Sequence, residues 1–225
     1  MMKKIRVILA DDHTVVRQGL RALLESEPDI AVIAEAETGR QAMDLANNLQ
    51  PDVVIMDIAM PQLNGVEATR QITRETPGVK VLILSSYDDD EYLQQLTEAG
   101  ARGYLVKQTA AADVVKAVHE VWRGDSSFSP SISKRLLDHC REAFIQGKQP
   151  HEHINTLTAR EAQVLQLIAE GRANKQIAGD LSISIKTVEK HRQQLMNKLN
   201  IHDIAGLTRY ALQKGIIESS SRVQA

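Results

Sequence analysis

The sequence predicts a doubly wound α/β domain joined to a smaller all-helical domain, and three observations predict it. Over the first ~120 residues, short Val/Ile/Leu runs alternate with amphipathic stretches, the pattern of βαβ units in a parallel sheet. After Thr156 the strand signal stops and helix-capping residues recur. Charge divides the same way: from Ile154 onward there are ten Lys/Arg and six Asp/Glu, a net +4, against −6 for the remainder of a chain whose net charge is −2. An acidic half joined to a basic half points to a cation site in the first and a nucleic-acid partner for the second.

Taken in order, the predicted strands are Ile5–Ala10, Ile30–Ala36, Asp52–Asp57, Val79–Ser85 and Gly103–Lys107. Each is a short apolar run of the kind a two-sided parallel sheet buries. Between them the spacing predicts five helices. Val15, Leu20, Leu23 and Leu24 face inward on the first, and Ala42, Leu45, Ala46 and Leu49 on the second. Val66 and Ile72 serve the third, Leu93 and Leu96 the fourth, and Val114, Val115, Val118 and Val121 the fifth. Asp88, Asp89 and Asp90 read as solvated caps of the fourth helix. Residues 1–123 thus form one domain. Ser126–Ser133 and Gly147–His153 are rich in breakers and flank a helix over Lys134–Phe144, so 124–153 reads as a linker containing a helix.

Residues 154–225 form the second domain, with four short helices. Thr158 with Glu161 is a capping box opening the first, whose apolar face is Val164, Leu165 and Ile168 and which Gly171 ends. Asn174–Leu181 is the second. Ser184 caps the third, which runs to about Leu199. Asp203–Lys214 is the fourth, closed by Gly215.

Composition excludes several classes. Hydrophobic residues at 43% and charged residues at 25% are ordinary for a globular protein, and 3% aromatics leave the cores to aliphatic side chains. The single cysteine, Cys140, rules out an internal disulfide and reads as a small hydrophobe on the linker helix. No apolar run approaches the ~20 residues of a membrane span. After Met1-Met2-Lys3-Lys4 only about six apolar residues precede Asp11, too few for a signal peptide. A cytoplasmic protein with no membrane partner is predicted.

In an open α/β sheet, sites form outside the carboxyl ends of the strands. Asp11 and Asp12 follow the first strand and Asp57 ends the third. In strand order 2-1-3-4-5 these two strands are neighbours, so the three carboxylates converge. Like charges that close are mutually unfavourable, and an oxygen-only ligand set suits Mg²⁺. Ser85 and Lys107 end strands four and five on the same rim. A carboxylate, a divalent cation, a hydroxyl and an ammonium are what phosphoryl transfer to an aspartate requires, with Asp57 as nucleophile. Asp52 begins its strand and lies at the opposite end.

Residues 5–121 resemble a receiver domain. The residues that carry the likeness are Asp-Asp-His at 11–13, Val-Val-Ile-Met-Asp at 53–57, Met-Pro at 60–61, Gly65, Leu-Ser at 84–85 and Gly-Tyr-Leu-Val-Lys at 103–107. The resemblance implies phosphorylation of Asp57 by a sensor histidine kinase. It also implies a Mg²⁺ ion held by Asp11, Asp12, Asp57 and the backbone of Ala59. Ser85 and Tyr104 would form a switch, the hydroxyl moving toward the phosphate and the aromatic ring turning inward behind it. Otherwise Tyr104 is an immobile residue of an edge strand. Gln108 stands where many receivers carry proline after the lysine, which bears on that turn rather than on Lys107.

In the basic half, helix 174–181, the turn Ser182–Ile183–Ser184 and the helix after it have helix-turn-helix proportions. Val188, Leu195 and Leu199 face the domain core. That leaves Glu189, Lys190, Gln193, Gln194 and Asn197 outward as base readers, and Lys186, Thr187, His191, Arg192 and Lys198 for phosphates. Residues 154–218 resemble the LuxR-type DNA-binding domain through Leu-Thr-Ala-Arg-Glu at 157–161, Val-Leu at 164–165, Ala-Glu-Gly at 169–171 and Asn-Lys-Gln-Ile-Ala at 174–178. Ser-Ile-Lys-Thr-Val-Glu-Lys-His-Arg at 184–192 and Lys-Leu-Asn at 198–200 complete the match. A receiver joined to this domain is similar to the NarL/FixJ response regulators. That likeness implies a phosphorylation-controlled homodimer on double-stranded promoter DNA, with RNA polymerase as a further partner. Ile204, Leu207, Thr208 and Ala211 on the last helix offer a dimer seam. Two other functions fit parts of the pattern. The acid cluster could serve a metal-dependent phosphatase, but the sequence shows no second base or substrate pocket. The receiver could be a mere dimerisation scaffold, which would need none of Asp11, Asp12, Asp57, Ser85 and Lys107. The predicted protein is therefore not an enzyme beyond accepting, and slowly losing, its own phosphoryl group.

Overall fold

The computed structural model describes residues 4–86, 90–109, 111–145, 157–214 and 216–217. The chain divides into two compact units, whose bodies are residues 1–60 with 65–152, and residues 153–225. In the first, chain order runs β1 (Ile5–Ala10), α1 (Thr14–Glu25), β2 (Ile30–Ala36), α2 (Gly39–Leu49), β3 (Val53–Met56) and α3 (Gly65–Glu75). It continues through β4 (Lys80–Ser85), α4 (Asp90–Glu98), β5 (Gly103–Val106), α5 (Ala111–Arg123), β6 (Ser127–Phe128) and α6 (Pro130–Ile145). The sheet is wholly parallel in the order β2-β1-β3-β4-β5-β6. One face packs Val7, Leu9, Val53, Ile55, Leu82 and Leu84 against Leu24, Val114, Val118 and Val121. Helix α2 starts where the Thr38 hydroxyl accepts from the Gln41 amide, and stops at Gln50, whose φ of 46° is left-handed.

Three differences from the sequence reading have physical reasons. The sheet has six strands rather than five. Ser127 N donates to Arg102 O at 3.1 Å and Ser129 N to Tyr104 O at 3.0 Å, so two residues of the expected linker extend the sheet and β5 is not its edge. Val15 is 82% exposed, not inward. The buried position of that turn belongs to Arg17, whose guanidinium meets Glu35 (3.1 Å), Glu37 (2.7 Å) and the Asp11 carbonyl (2.6 Å). The linker helix begins at Pro130, earlier than Lys134, since proline needs no amide partner in a first turn. Asp88, Asp89 and the break at Gly147–His153 lie outside the described residues, as does Gly215.

The second unit holds α7 (Ala159–Ala169), α8 (Asn174–Asp180), α9 (Ile185–Leu199) and α10 (Ile204–Gln213). Its core is Val164, Leu165, Leu167, Ile168, Ile177, Val188, Leu195, Leu207 and Ala211. The caps follow the sequence: Thr158 and Glu161 complete a capping box, Ser184 accepts from Thr187 N, and Asp203 accepts from Gly206 N. Among the described residues no helix is long and apolar enough to cross a membrane.

Candidate functional site

Register builds the acid pocket. Ala10 on β1 pairs with Met56 on β3, and Asp57 N donates to Ala10 O at 2.8 Å. The residues just past both strand ends, Asp11 and Asp57, are therefore side by side. Each is 3% exposed, whereas Asp12 is exposed. On the other side Ser85 pairs with Val106, and Lys107 N donates to Ser85 O at 2.8 Å. This brings the Lys107 ammonium to 2.8 Å from both Asp11 Oδ2 and Asp57 Oδ2. One oxygen from each of Asp11, Asp12 and Asp57 and one ring nitrogen of His13 lie within 4.8 Å of one another. Ser85 and Tyr104 are buried, at 0% and 1% exposure, and Ala59 is buried two residues past Asp57. Tyr104 already lies inward in this structure.

Burial, reinforced by the neighbouring Asp11 charge, pushes the Asp57 carboxyl up to about 6, although Lys107 and the Ile58 amide act to lower it. For Lys107, burial works against the ammonium, but Asp57 and Asp11 outweigh it and raise its pKa. Three carboxylates facing one ammonium leave two negative charges, which a divalent cation neutralises. The donor set is compatible with Mg²⁺.

Two residues without a role in the sequence reading belong to this region. His13 sets its Nδ1 at 3.1 Å from Asp11 Oδ1 and 2.8 Å from Asp12 Oδ1. Arg17 ties the Asp11 carbonyl to Glu35 and Glu37 on and after β2, bracing the β1–α1 loop. The sequence signal for Arg17 is a cation at an inward helical position. Arg17→Met takes the guanidinium donor from the Asp11 carbonyl and removes its ion pairs with the partly exposed Glu35 and the exposed Glu37, and is expected to cost ~1–2 kcal/mol in urea unfolding.

In the second unit, Glu189, Lys190, Gln193, Gln194 and Asn197 are all exposed along α9, with Lys186 beside them. Thr187, His191 and Arg192 are half-buried. Thr187 is engaged at the helix cap, and Arg192 donates to Asn174 Oδ1 at 2.7 Å, tying α9 to α8. Lys198 Nζ is held at 2.6 Å by Glu161 Oε2, which also accepts from Thr158 N. Burial acts to raise the Glu161 pKa, but the Lys198 and Thr158 donors prevail and hold it below the ordinary 4.5. A depressed carboxyl contributes stability that is complete above 4.5 and lost as pH falls through the folded-state value. Glu161→Gln is thus expected to cost ~1.5–3 kcal/mol at neutral pH, and much less in acid, read from hydrogen exchange of the α7 amides.

The proposed dimer seam divides. Leu207 and Ala211 are fully buried in the helical core and are not available to a partner. Ile204 is 56% exposed, Thr208 is half-buried and Leu212 is 38% exposed, one turn apart along the outer side of α10.

Comparison with known proteins agrees with both halves. Residues 7–119 match the response regulator receiver domain, and residues 155–211 match the bacterial regulatory proteins of the luxR family. The transcriptional regulatory protein LiaR of Bacillus subtilis is 40% identical over 213 residues, covering 95% of this chain and 99% of that one. The transcriptional regulatory protein DegU of Brevibacillus brevis is 37% identical, covering 89% of each. Among solved structures, response regulator ChrA of a heme-sensing two-component system is 35% identical with a TM-score of 0.52, over 96% of this chain and all of that one. RcsB of Salmonella enterica serovar Typhimurium, bound to promoter rprA with phosphomimetic BeF3−, is 26% identical with a TM-score of 0.61, over 92% of this chain and 98% of that one. A receiver domain joined to a luxR-type helical domain is the architecture of a DNA-binding response regulator. The chain belongs to the two-component response regulators of the NarL/FixJ family, receiver-controlled transcription regulators with a LuxR-type DNA-binding domain.

Proposed function

We propose that Asp57 accepts a phosphoryl group from a sensor histidine kinase and that this controls dimerisation and promoter binding by the second domain. The observation that carries the reading is the Lys107 ammonium at 2.8 Å from both Asp11 and Asp57, on a rim where Asp12 is open to solvent. A carboxylate oxygen of Asp57 forms the new P–O bond as the P–N bond to the donor imidazole breaks, and the imidazole leaves with a proton. Lys107 neutralises the phosphoryl oxygens, and Ser85 donates a hydrogen bond to them. Asp11, Asp12, Asp57 and the Ala59 backbone would hold Mg²⁺, which supplies charge neutralisation at the transferred group. Ser85 and Tyr104 relay the change along β4 and β5.

On this reading the receiver spans 1–123, the linker 124–153 and the DNA-binding domain 154–225. Glu189, Lys190, Gln193 and Asn197 on α9 face base edges, and Lys186, Thr187, His191, Arg192 and Lys198 lie nearer the phosphates. Lys198 and Arg192 would do so while also bracing α9 through Glu161 and Asn174. Ile204, Thr208 and Leu212 supply the seam of a homodimer on two half-sites. The partners are the kinase and double-stranded DNA, with RNA polymerase at the promoter, and the site of action is the cytoplasm. The test is incubation with acetyl phosphate, with and without Mg²⁺, followed by intact-mass measurement and peptide mapping. Mg²⁺-dependent gain of one phosphoryl group at Asp57 is expected. No gain, or gain at another residue, would overturn the reading.

A further inference from the structure

One exposed residue of α9 differs in kind from the rest. Ile185, the first residue of the helix, is 44% exposed, whereas every other exposed residue of α9 is charged or carries an amide. Its own domain does not cover it. Ser184, just before it, caps the helix by accepting from Thr187 N at 3.1 Å, which fixes the backbone at that point. Ile183 and Val188, on either side, take the places against the helical core. The first turn of a helix favours acidic residues, and α9 has none there. Neither core packing nor helix stability therefore accounts for an isoleucine at this position. Single exposed apolar residues carry no meaning on most surfaces. This one is continuous with the polar face that a DNA-binding domain turns to its target.

We infer that Ile185 packs against the C5 methyl of a thymine in each half-site and so helps to set the sequence preference. The inference rests on α9 entering the major groove, as proposed above. In helix-turn-helix proteins the N-terminal residues of the second helix are the ones that reach base edges. On those edges the thymine methyl is the apolar group, and the others donate or accept hydrogen bonds. Against a donor or acceptor, an isoleucine would displace water and return no hydrogen bond. Against the methyl, both apolar surfaces leave water. Glu189 lies one turn further along on the same side and is an acceptor suited to a cytosine amino group. This side of α9 thus presents an apolar group followed by an acceptor.

The test measures binding of the full chain to a duplex selected in vitro, with each thymine replaced in turn by deoxyuridine, which removes only the methyl. Wild type is expected to lose about fourfold in affinity per half-site at one thymine, the worth of one buried methyl. Ile185→Ser is expected to bind the parent duplex more weakly and to be indifferent to that replacement. Ile185→Val, which keeps an apolar surface, should remain sensitive to it. Wild type unaffected by every replacement, or Ile185→Ser as sensitive as wild type, overturns the role of Ile185 and leaves DNA binding by α9 standing. Failure of wild type to select any preferred duplex overturns the major-groove reading with it.

Discussion

Gly65→Ala is expected to destabilise the receiver by ~3 kcal/mol or more and to impair phosphoryl uptake with it. A Cβ at this position would stand 1.9 Å from the backbone oxygen of Asp57 and 2.9 Å from its carbonyl carbon. Backbone, not a flexible side chain, is in the way. The same residue donates its amide to Ile58 O at 2.7 Å and accepts from the Thr69 hydroxyl at 2.6 Å, so it cannot step aside without losing both bonds. Because α3 starts against the strand end that carries Asp57, any retreat moves Asp57 relative to Lys107. Urea unfolding of the variant beside wild type measures the loss, and equal stability would show that this close approach is not needed.

Asp57→Asn is expected to abolish phosphoryl uptake while stabilising the resting protein. An amide cannot form the acyl phosphate. Burial raises the Asp57 pKa from 3.8 to about 6, so in the folded state the proton binds more tightly than in the unfolded chain. The sign follows: the stabilisation is complete below pH 3.8 and is lost as pH rises through about 6. At neutral pH without divalent cation the ionised side chain is a burden on the order of 2 kcal/mol, which the amide removes. Thermal unfolding in chelator is expected to show a variant more stable than wild type at pH 7, with the gain vanishing toward pH 4. Saturating Mg²⁺ should reverse the order, since wild type binds the ion more tightly.

The fold was largely legible in the sequence because a parallel sheet buried on both faces leaves continuous apolar runs, and the residue after each run is fixed to one rim. Asp11, Asp57 and Lys107 were legible on that ground. Strand β6 was not, because its two residues, Ser127 and Phe128, carry no apolar pattern and are held by backbone bonds to Arg102 and Tyr104. Val15 and Arg17 were interchanged because the partners that bury Arg17 lie on and beyond β2, out of reach of helical periodicity. The outer side of α10 was misjudged at Leu207 and Ala211 for a related reason: two apolar rows lie on one short helix, and only the packing of α7 decides which is inside. His13 stood in view within its motif, but its return toward Asp11 and Asp12 depends on a local turn that side-chain type alone does not encode.

On the proposed reading, the chemistry at Asp57 governs the affinity of α9 for DNA. The most direct test of that reading is a binding titration on a duplex selected in vitro, using the full chain before and after Mg²⁺-dependent phosphorylation by acetyl phosphate, with Asp57→Asn alongside. Tighter, dimeric binding by the phosphorylated wild type and no response from Asp57→Asn are expected. Equal affinity of the two wild-type forms would contradict the account.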